Sequence, residues 1–247
     1  MEILHKECYV AFLDILGFKE ICLERASKEI LKIFHDIKQK GENLKESNTA
    51  FGYSKEEIQE LHNNLYFHIM SDSIILALDC DLEGSYDFLL KCCKKIQRSL
   101  LFDHKILLRG GVSKGCFYGD QDIMFGEGLI NAYNIEKIAE VPRVCVDKKI
   151  TDDPPKNNLK DGVSNKAFNL LEEDKKKDVF FIKYIEVDDY DENMDKYKFS
   201  EIIDSGFDKI EKQSKETEKL TLKYNWLKDY HKKVEYEHNE RVNQEKQ

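Results

Sequence analysis

No run of apolar residues in this chain is long enough to cross a bilayer. The two most apolar stretches, Tyr9 to Phe18 and Ile69 to Leu78, each carry a central aspartate and fall far short of the ~20 residues a spanning helix needs. A membrane-embedded protein is therefore not expected. A secretory leader is not expected either: MEILHKECYVAFLDILGF is interrupted by Glu2, Lys6, Glu7 and Asp14, where a signal peptide requires an unbroken apolar centre. Paired cysteine spacing is also lacking. The seven cysteines form an odd set without CxxC, and Cys92 and Cys93 are adjacent on an expected helix, so neither a disulfide framework nor a zinc site is indicated and a reduced, cytoplasmic setting fits. Cys92, Cys93, Cys116 and Cys145 read as small buried hydrophobes. Basic tracks are absent too. With 39 Lys+Arg against 48 Asp+Glu the formal net charge is −9, which offers no broad electrostatic grip for nucleic acid or an anionic membrane. A small anionic substrate stays open, because a bound divalent cation reverses the local field of an acidic site.

What is present describes a folded globular chain. Hydrophobic residues make up 41% and charged residues 35% of 247 residues, sufficient for one catalytic-sized core. CYVAFLD (8–14) is a short apolar run ended by an acid and reads as a buried strand. From Phe18 to about Lys40, apolar residues recur at helical spacing up to Gly41, and Ser54 with Glu57 has capping-box spacing ahead of a short helix. LYFHIM (65–70) and SIILAL (73–78) are strand-like runs separated only by Ser71 and Asp72, the spacing of a tight hairpin. Tyr86 to Phe102 is helical in register, and KILLRGGVSKG (105–115) returns to strand. The order strand, helix, strand, strand, helix, strand defines an α+β protein with a ferredoxin-like, palm-type βαββαβ core.

Beyond that core, Gly126 to Glu140 predicts a helix with Leu129, Ile130, Tyr133, Ile138 and Ala139 facing inward, PRVCVD (142–147) a short strand, and 151–165 a loop. DVFFIKYIEV (178–187) predicts a late strand, and the charge-balanced segment from Gly206 onward an exposed helix with intrahelical ion pairs.

Two acids carry the chemistry. Asp14 ends the first strand and Asp72 lies at the turn of the neighbouring hairpin, so this topology lets both carboxylates meet over one edge of the sheet. Charges in such places are costly unless paired or bound to a cation, and Mg²⁺ or Mn²⁺ accepts carboxylate oxygens while bridging to substrate phosphates. Taken singly, Asp14 also fits a helix cap and Asp72 a turn residue. Arg109, opening RGGVSKG, fits a phosphate contact or an ion pair within the sheet, and the glycines after it fit a bulge or a close backbone approach. His68 reads as a base-edge contact or a packed strand histidine.

FLDILGF (12–18), IMSDSIILA (69–77) and RGGVSKG (109–115) resemble, in order and spacing, three signatures of the class III nucleotidyl cyclases. More finely, YVAFLDILGF, LLRGGVSKG and GLINAYNIEKIAEVPRVCVD are similar to the pyrimidine cyclases of bacterial anti-phage Pycsar systems. The resemblance spans residues 8 to 147. It implies a class III cyclase-like sheet, two divalent cations held by Asp14 and Asp72 with the backbone carbonyl of Ile15, and a phosphate loop of Leu16, Gly17 and Phe18 at a helix start. It further implies a cytoplasmic homodimer with composite active sites that converts UTP or CTP to a 3′,5′-cyclic nucleotide, read by a downstream effector. Residues 1–190 would form the catalytic domain and 191–247 a charged, mainly helical C-terminal extension. The position of the adenine-reading lysine of adenylyl cyclases holds His68. Asn131 and Asn134 fall in the late helix that supplies the family's ribose and transition-state contacts, that helix has no arginine, and Arg143 is either a substitute or a solvated loop residue. Within the enzymes the alternative is a purine cyclase or diguanylate-cyclase relative; outside them, a silent nucleotide-binding dimerisation module or a metal-dependent nuclease.

Overall fold

Alternation along the first strand decides the layering of the molecule. The computed structural model describes residues 6–42, 53–152, 169–186, 199, 201–206, 208 and 217–245. In β1 (Lys6–Ile15), Tyr9, Ala11, Leu13 and Ile15 enter one hydrophobic cluster, while Cys8, Val10 and Phe12 enter another on the opposite face. Successive side chains of a strand point to opposite faces, so a strand apolar on both must be covered on both. β1 is central in fact as well as in pattern. It pairs antiparallel with β3 (Ser73–Asp79) on one side and with β4 (Leu108–Gly119) on the other.

β2 (Tyr66–Met70) joins β3 through the two-residue turn Ser71-Asp72, with Met70 opposite Ser73 and Ser71 at φ 57°. β5 (Met124–Phe125) folds back on β4, β6 (Val144–Val146) lies parallel to β4, and β7 (Leu171–Asp174) and β8 (Val179–Ile182) complete the sheet. The strand order is β2-β3-β1-β4-β6-β8-β7 with β5 beside β4. The ferredoxin-like α+β core is therefore present as expected, with three further strands beyond β4. β5 and β7 were not expected from sequence. β7 is LEED, and its acids are drawn into the sheet by partners: Asp174 pairs with Arg143 at 2.7 Å and Glu172 with Lys233 at 2.6 Å.

Helices α1 (Phe18–Glu24), α2 (Ser27–Glu42), α3 (Lys55–Asn64) and α4 (Ser85–His104) belong to the first half. The single helix expected from Phe18 is split at Arg25, which is extended (φ −105°, ψ 146°). Its guanidinium donates to the carbonyl of His104 at 3.0 Å, satisfying an acceptor that the end of α4 leaves without an intrahelical partner. The capping box at α3 forms in both directions: the Glu57 amide donates to Ser54 Oγ at 3.1 Å, and the Ser54 amide donates to the Glu57 carboxylate at 2.6 Å.

α5 (Glu127–Ala139) covers the Val10/Phe12 face and lies on β4 and β1. Its inward stripe is Gly128, Ala132, Glu136 and Ala139, whereas Ile130, Tyr133 and Ile138 are 60%, 42% and 41% exposed. The expected orientation was wrong for these three because small residues, not large ones, face the sheet. A Cβ on Gly111 would collide with the Ala132 carbonyl and the Glu136 backbone nitrogen, and one on Gly115 would meet the Gly128 backbone at 2.9 Å. The glycines of RGGVSKG thus mark a close backbone approach.

α6 is Lys148–Asp152, so the loop expected over 151–165 starts later; its residues 153–165 lie outside the described residues. The final helix, α7 (Thr217–Glu245), carries the expected intrahelical pairs Lys233–Glu237 and Arg241–Glu245. It is not merely an exposed rod. Leu227, Tyr230 and Val234 are buried in a second core with Phe181, Tyr184 and Ile185, and with Phe199, Ile202 and Ile203. The Phe181 and Tyr230 rings meet edge-on at 5.7 Å. All seven cysteines are free, with Cys92, Cys93 and Cys145 buried and Cys116 half-buried. Among the described residues no helix is long and apolar enough to cross a membrane.

Candidate active site

Asp14 stands on the same face of β1 as Val10 and Phe12, under α5, and in register with Ser73 of β3 and Arg109 of β4. Asp72 sits in the adjoining hairpin turn. The Ile15 amide donates to the Asp72 carbonyl at 2.8 Å, tying the end of β1 to that turn. The two aspartates are close enough for the Asp72 charge to act on the Asp14 carboxyl. Two acids 58 positions apart in the chain therefore meet at one sheet edge, each carried there by a strand end.

Arg109 bridges Asp14 to an acid on α5. Its Nη2 donates to Asp14 Oδ2 at 3.1 Å, and its Nε side forms an ion pair with Glu136 of α5. Of its two readings, the internal ion pair is the one the geometry displays. Glu136, only 3% exposed, went unnoticed in the sequence. Its signal was there: 128, 132 and 136 follow one another at four-residue spacing, and a glutamate that continues a stripe of small residues must be buried and paired.

Burial pushes the Asp14 carboxyl above the ordinary carboxylate range; Arg109 pulls it back and Asp72 pushes it further up, leaving it raised. Burial likewise raises Glu136, opposed by Arg109 and reinforced by Asp14. Burial is the first cause of both raised carboxyls, and the charge of Asp72 on Asp14 and of Asp14 on Glu136 adds to it. A divalent cation at Asp14 and Asp72 would relieve that repulsion. The donors are all hard oxygens, which suits Mg²⁺ or Mn²⁺. Among the described residues no group of three or more His, Cys, Asp or Glu side chains is placed to hold a metal ion. This edge is thus no protein cage, but one or two carboxylates completed by water and substrate phosphate are the usual holding of a magnesium-type ion.

The segment after Asp14 has a defined shape. Gly17 is left-handed (φ 74°, ψ 24°) at the cap of α1, a conformation glycine adopts without a Cβ penalty. The Leu16 amide donates to the Leu107 carbonyl at 2.9 Å, so Leu16 has no N–H for a phosphate. The donors left for an anion are those of Gly17, Phe18 and the first turn of α1. His68 is half-buried on β2 opposite Ile75, its ring stacked on Tyr66 at 6.2 Å. Asn131 and Asn134 are not brought to Asp14: both lie off the inward stripe of α5, with Asn131 Nδ2 3.5 Å from Glu127 Oε1 and Asn134 exposed.

Arg143 is neither a solvated loop residue nor free for substrate. It is 2% exposed, pairs with Asp174 and lies over the Phe181 and Trp226 rings at 5.4 and 5.9 Å. A buried guanidinium requires such partners, and β7 supplies the carboxylate.

No protein-family model matches the chain, and no curated protein matches it. Solved structures overlap with it at low identity. The guanylyl cyclase Cya2 is 9% identical with a TM-score of 0.43, over 74% of this chain and 93% of that one. An adenylate/guanylate cyclase/hydrolase from Silicibacter pomeroyi is 16% identical with a TM-score of 0.42, over 74% and 100%. The catalytic core of a rhodopsin-guanylyl cyclase with converted specificity, in complex with ATPαS, is 11% identical with a TM-score of 0.43, over 72% and 96%.

Proposed function

We propose that the chain is a metal-dependent nucleotidyl cyclase that converts UTP or CTP, with UTP preferred, to a 3′,5′-cyclic mononucleotide and pyrophosphate. The observation that carries this reading is the convergence of Asp14 and Asp72 at one sheet edge, beside a left-handed glycine that opens a helix. Hard acids and free amides at one place suit a polyphosphate.

In this reading the 3′-hydroxyl oxygen of the ribose attacks the α-phosphorus. The new O–P bond forms as the bond to the β-phosphate oxygen breaks, pyrophosphate leaves with that electron pair, and the hydroxyl proton passes to water. Two Mn²⁺ or Mg²⁺ ions, when bound, lower the pKa of the hydroxyl and neutralise the leaving phosphates. Asp14 and Asp72, with the Ile15 carbonyl, would hold them. Arg109 orients Asp14 from beneath and offsets the charge of Glu136, so its role is positioning and not phosphate contact. Gly17 and Phe18 offer amides to the triphosphate. His68 lies on the Asp14 face of the sheet and would read the base.

Asn131 and Asn134 cannot serve their own Asp14 from outside the inward face of α5, and they would act in the site of a second copy. Ile123, Phe125, Ile130 and Tyr133 leave 59%, 53%, 60% and 42% of their surface exposed on β5, α5 and the turn before them; large apolar side chains left open in this way suit a homodimer contact. The pyrimidine preference rests on the sequence resemblance of YVAFLDILGF, LLRGGVSKG and GLINAYNIEKIAEVPRVCVD to Pycsar cyclases. With it go a cytoplasmic location and an anti-phage second messenger read by a separate effector.

The test is incubation of purified protein with Mn²⁺ and each of the four ribonucleoside triphosphates, followed by mass spectrometry. Cyclic UMP or cyclic CMP is the expected product, lost in Asp14→Asn and Asp72→Asn. A cyclic purine nucleotide would overturn the base assignment, and no cyclic product from any triphosphate would overturn the activity.

A further inference from the structure

Ser73 is a neighbour of both aspartates. It follows Asp72 in the chain, and it is the register partner of Asp14 across the β1–β3 ladder. Residues directly opposite one another in antiparallel strands present their side chains on the same face, so Ser73 shares the face of the sheet on which Asp14 stands. The kind of pairing brings the two closer still. The bond from the Ile15 amide to the Asp72 carbonyl makes 15 and 72 a hydrogen-bonded pair. In an antiparallel ladder the next pair along, 14 and 73, is then the non-hydrogen-bonded kind, whose side chains approach most closely.

The surroundings leave this hydroxyl uncommitted. Asp14 is held from the β4 side by Arg109 at 3.1 Å, and on the β3 side its neighbour is Ser73. Across from Ser73 on β2 is Met70, and the next residues of this face are Phe12, Ile75 and His68; none of these four is a hard oxygen donor. Ser73 is half-buried and opens a strand whose next five residues are all buried. Among the described residues its hydroxyl has no hydrogen-bond partner.

We propose that Ser73 is a third side-chain ligand of the divalent-ion site, its hydroxyl oxygen binding the cation that Asp14 and Asp72 hold. The proposal rests on the metal reading of that edge. Two carboxylates are few donors for an ion that prefers an octahedral set of oxygens, and serine or threonine hydroxyls hold Mg²⁺ in phosphate-binding loops. A hydroxyl binds as the neutral group, so it adds a donor without adding charge. A third carboxylate at this position would instead deepen the repulsion that Asp14 already feels from Asp72.

The test is titration of the full chain with Mn²⁺ alone, followed by electron paramagnetic resonance, for wild type, Ser73→Ala, Ser73→Thr, Ser73→Cys and Asp14→Asn. S73A should bind Mn²⁺ about tenfold more weakly than wild type while melting cooperatively. S73T keeps the oxygen on a side chain that suits a strand and should bind as wild type does. In S73C the softer sulfur should change selectivity, so that Cd²⁺ displaces bound Mn²⁺ at a lower ratio than from wild type. A merely structural serine would not produce that change, and the seven native cysteines are common to both proteins. Wild-type Mn²⁺ affinity in S73A beside a weakened D14N would overturn the serine and leave the two aspartates standing. Equal losses in S73A and S73T, or unaltered Cd²⁺ selectivity in S73C, would count against it in the same way. Wild-type affinity in D14N would remove the metal site itself, and the role of Ser73 with it.

Discussion

Replacing Glu136 by Gln removes one charge from the Arg109 bridge and nothing else of comparable size. Glu136 is 3% exposed and Arg109 26% exposed by side chain, so the pair is largely but not wholly dehydrated. Breaking a fully buried pair costs about 3–5 kcal/mol. Here burial outweighs the pair, as the raised Glu136 carboxyl shows, and the guanidinium keeps Asp14 at 3.1 Å, so a neutral side chain at 136 should relieve about 1–3 kcal/mol at neutral pH. For a chain of 247 residues each kcal/mol is worth about 2–4 °C in melting temperature, so E136Q should melt about 2–12 °C above wild type at neutral pH. A second effect follows from geometry. With Glu136 neutral, Arg109 neutralises Asp14 more completely, and Mn²⁺ should bind more weakly. Differential scanning fluorimetry with and without Mn²⁺ reads both: a higher melting temperature for E136Q and a smaller metal-induced rise. An E136Q protein that melted with wild type and kept the same metal response would refute the bridge.

Gly111→Ala forces α5 off β4, because the new Cβ meets backbone atoms of Ala132 and Glu136; overpacking of about 1–3 kcal/mol or more is expected in urea unfolding, with weaker Mn²⁺ binding alongside. Arg143→Met should destabilise by about 3 kcal/mol through the stranded Asp174, while KM and kcat, measured well below the melting temperature, stay at wild-type values; a large fall in kcat would return Arg143 to the chemistry. Protonation gives a signed test. Burial leaves the Asp14 and Glu136 carboxyls raised, so the folded state binds protons more readily there, and the stability they contribute is lost as pH rises from the ordinary carboxylate range through their raised values. Burial also pushes Asp174 up, but its hydrogen bond to Arg143 and that residue's charge outweigh it and hold the carboxyl low, so its contribution is lost only as pH falls below the ordinary value of 3.8. Without metal, the urea midpoint of wild type should decline as pH rises above the ordinary carboxylate range, and E136Q should show a shallower decline; identical slopes would contradict the assignment.

The core was legible because its periods were clean. β1, the β2–β3 hairpin and α4 carry apolar patterns that fit only one placement, and Asp14 and Asp72 stood out as acids at the ends of such strands. What could not be read depended on partners distant in sequence. α5 turns large apolar residues outward because the glycines of β4 admit only small ones beneath it, and helical spacing alone does not say which of two stripes is buried. β7 carries acids that Arg143 and Lys233 render tolerable in a sheet. The break at Arg25 reflects a cap offered to α4, and the packing of α7 reflects Leu227, Tyr230 and Val234 hidden in a charge-balanced segment. Glu136 was missed for the same reason as the orientation of its helix.

The central claim is that Asp14 and Asp72 hold the same divalent ions, and electron paramagnetic resonance titration of Mn²⁺ with a non-cyclisable triphosphate analogue addresses it most directly. Wild type should bind two Mn²⁺ per chain, with both ions weakened in Asp14→Asn and in Asp72→Asn while each variant melts cooperatively. Wild-type stoichiometry and affinity in either variant would contradict it.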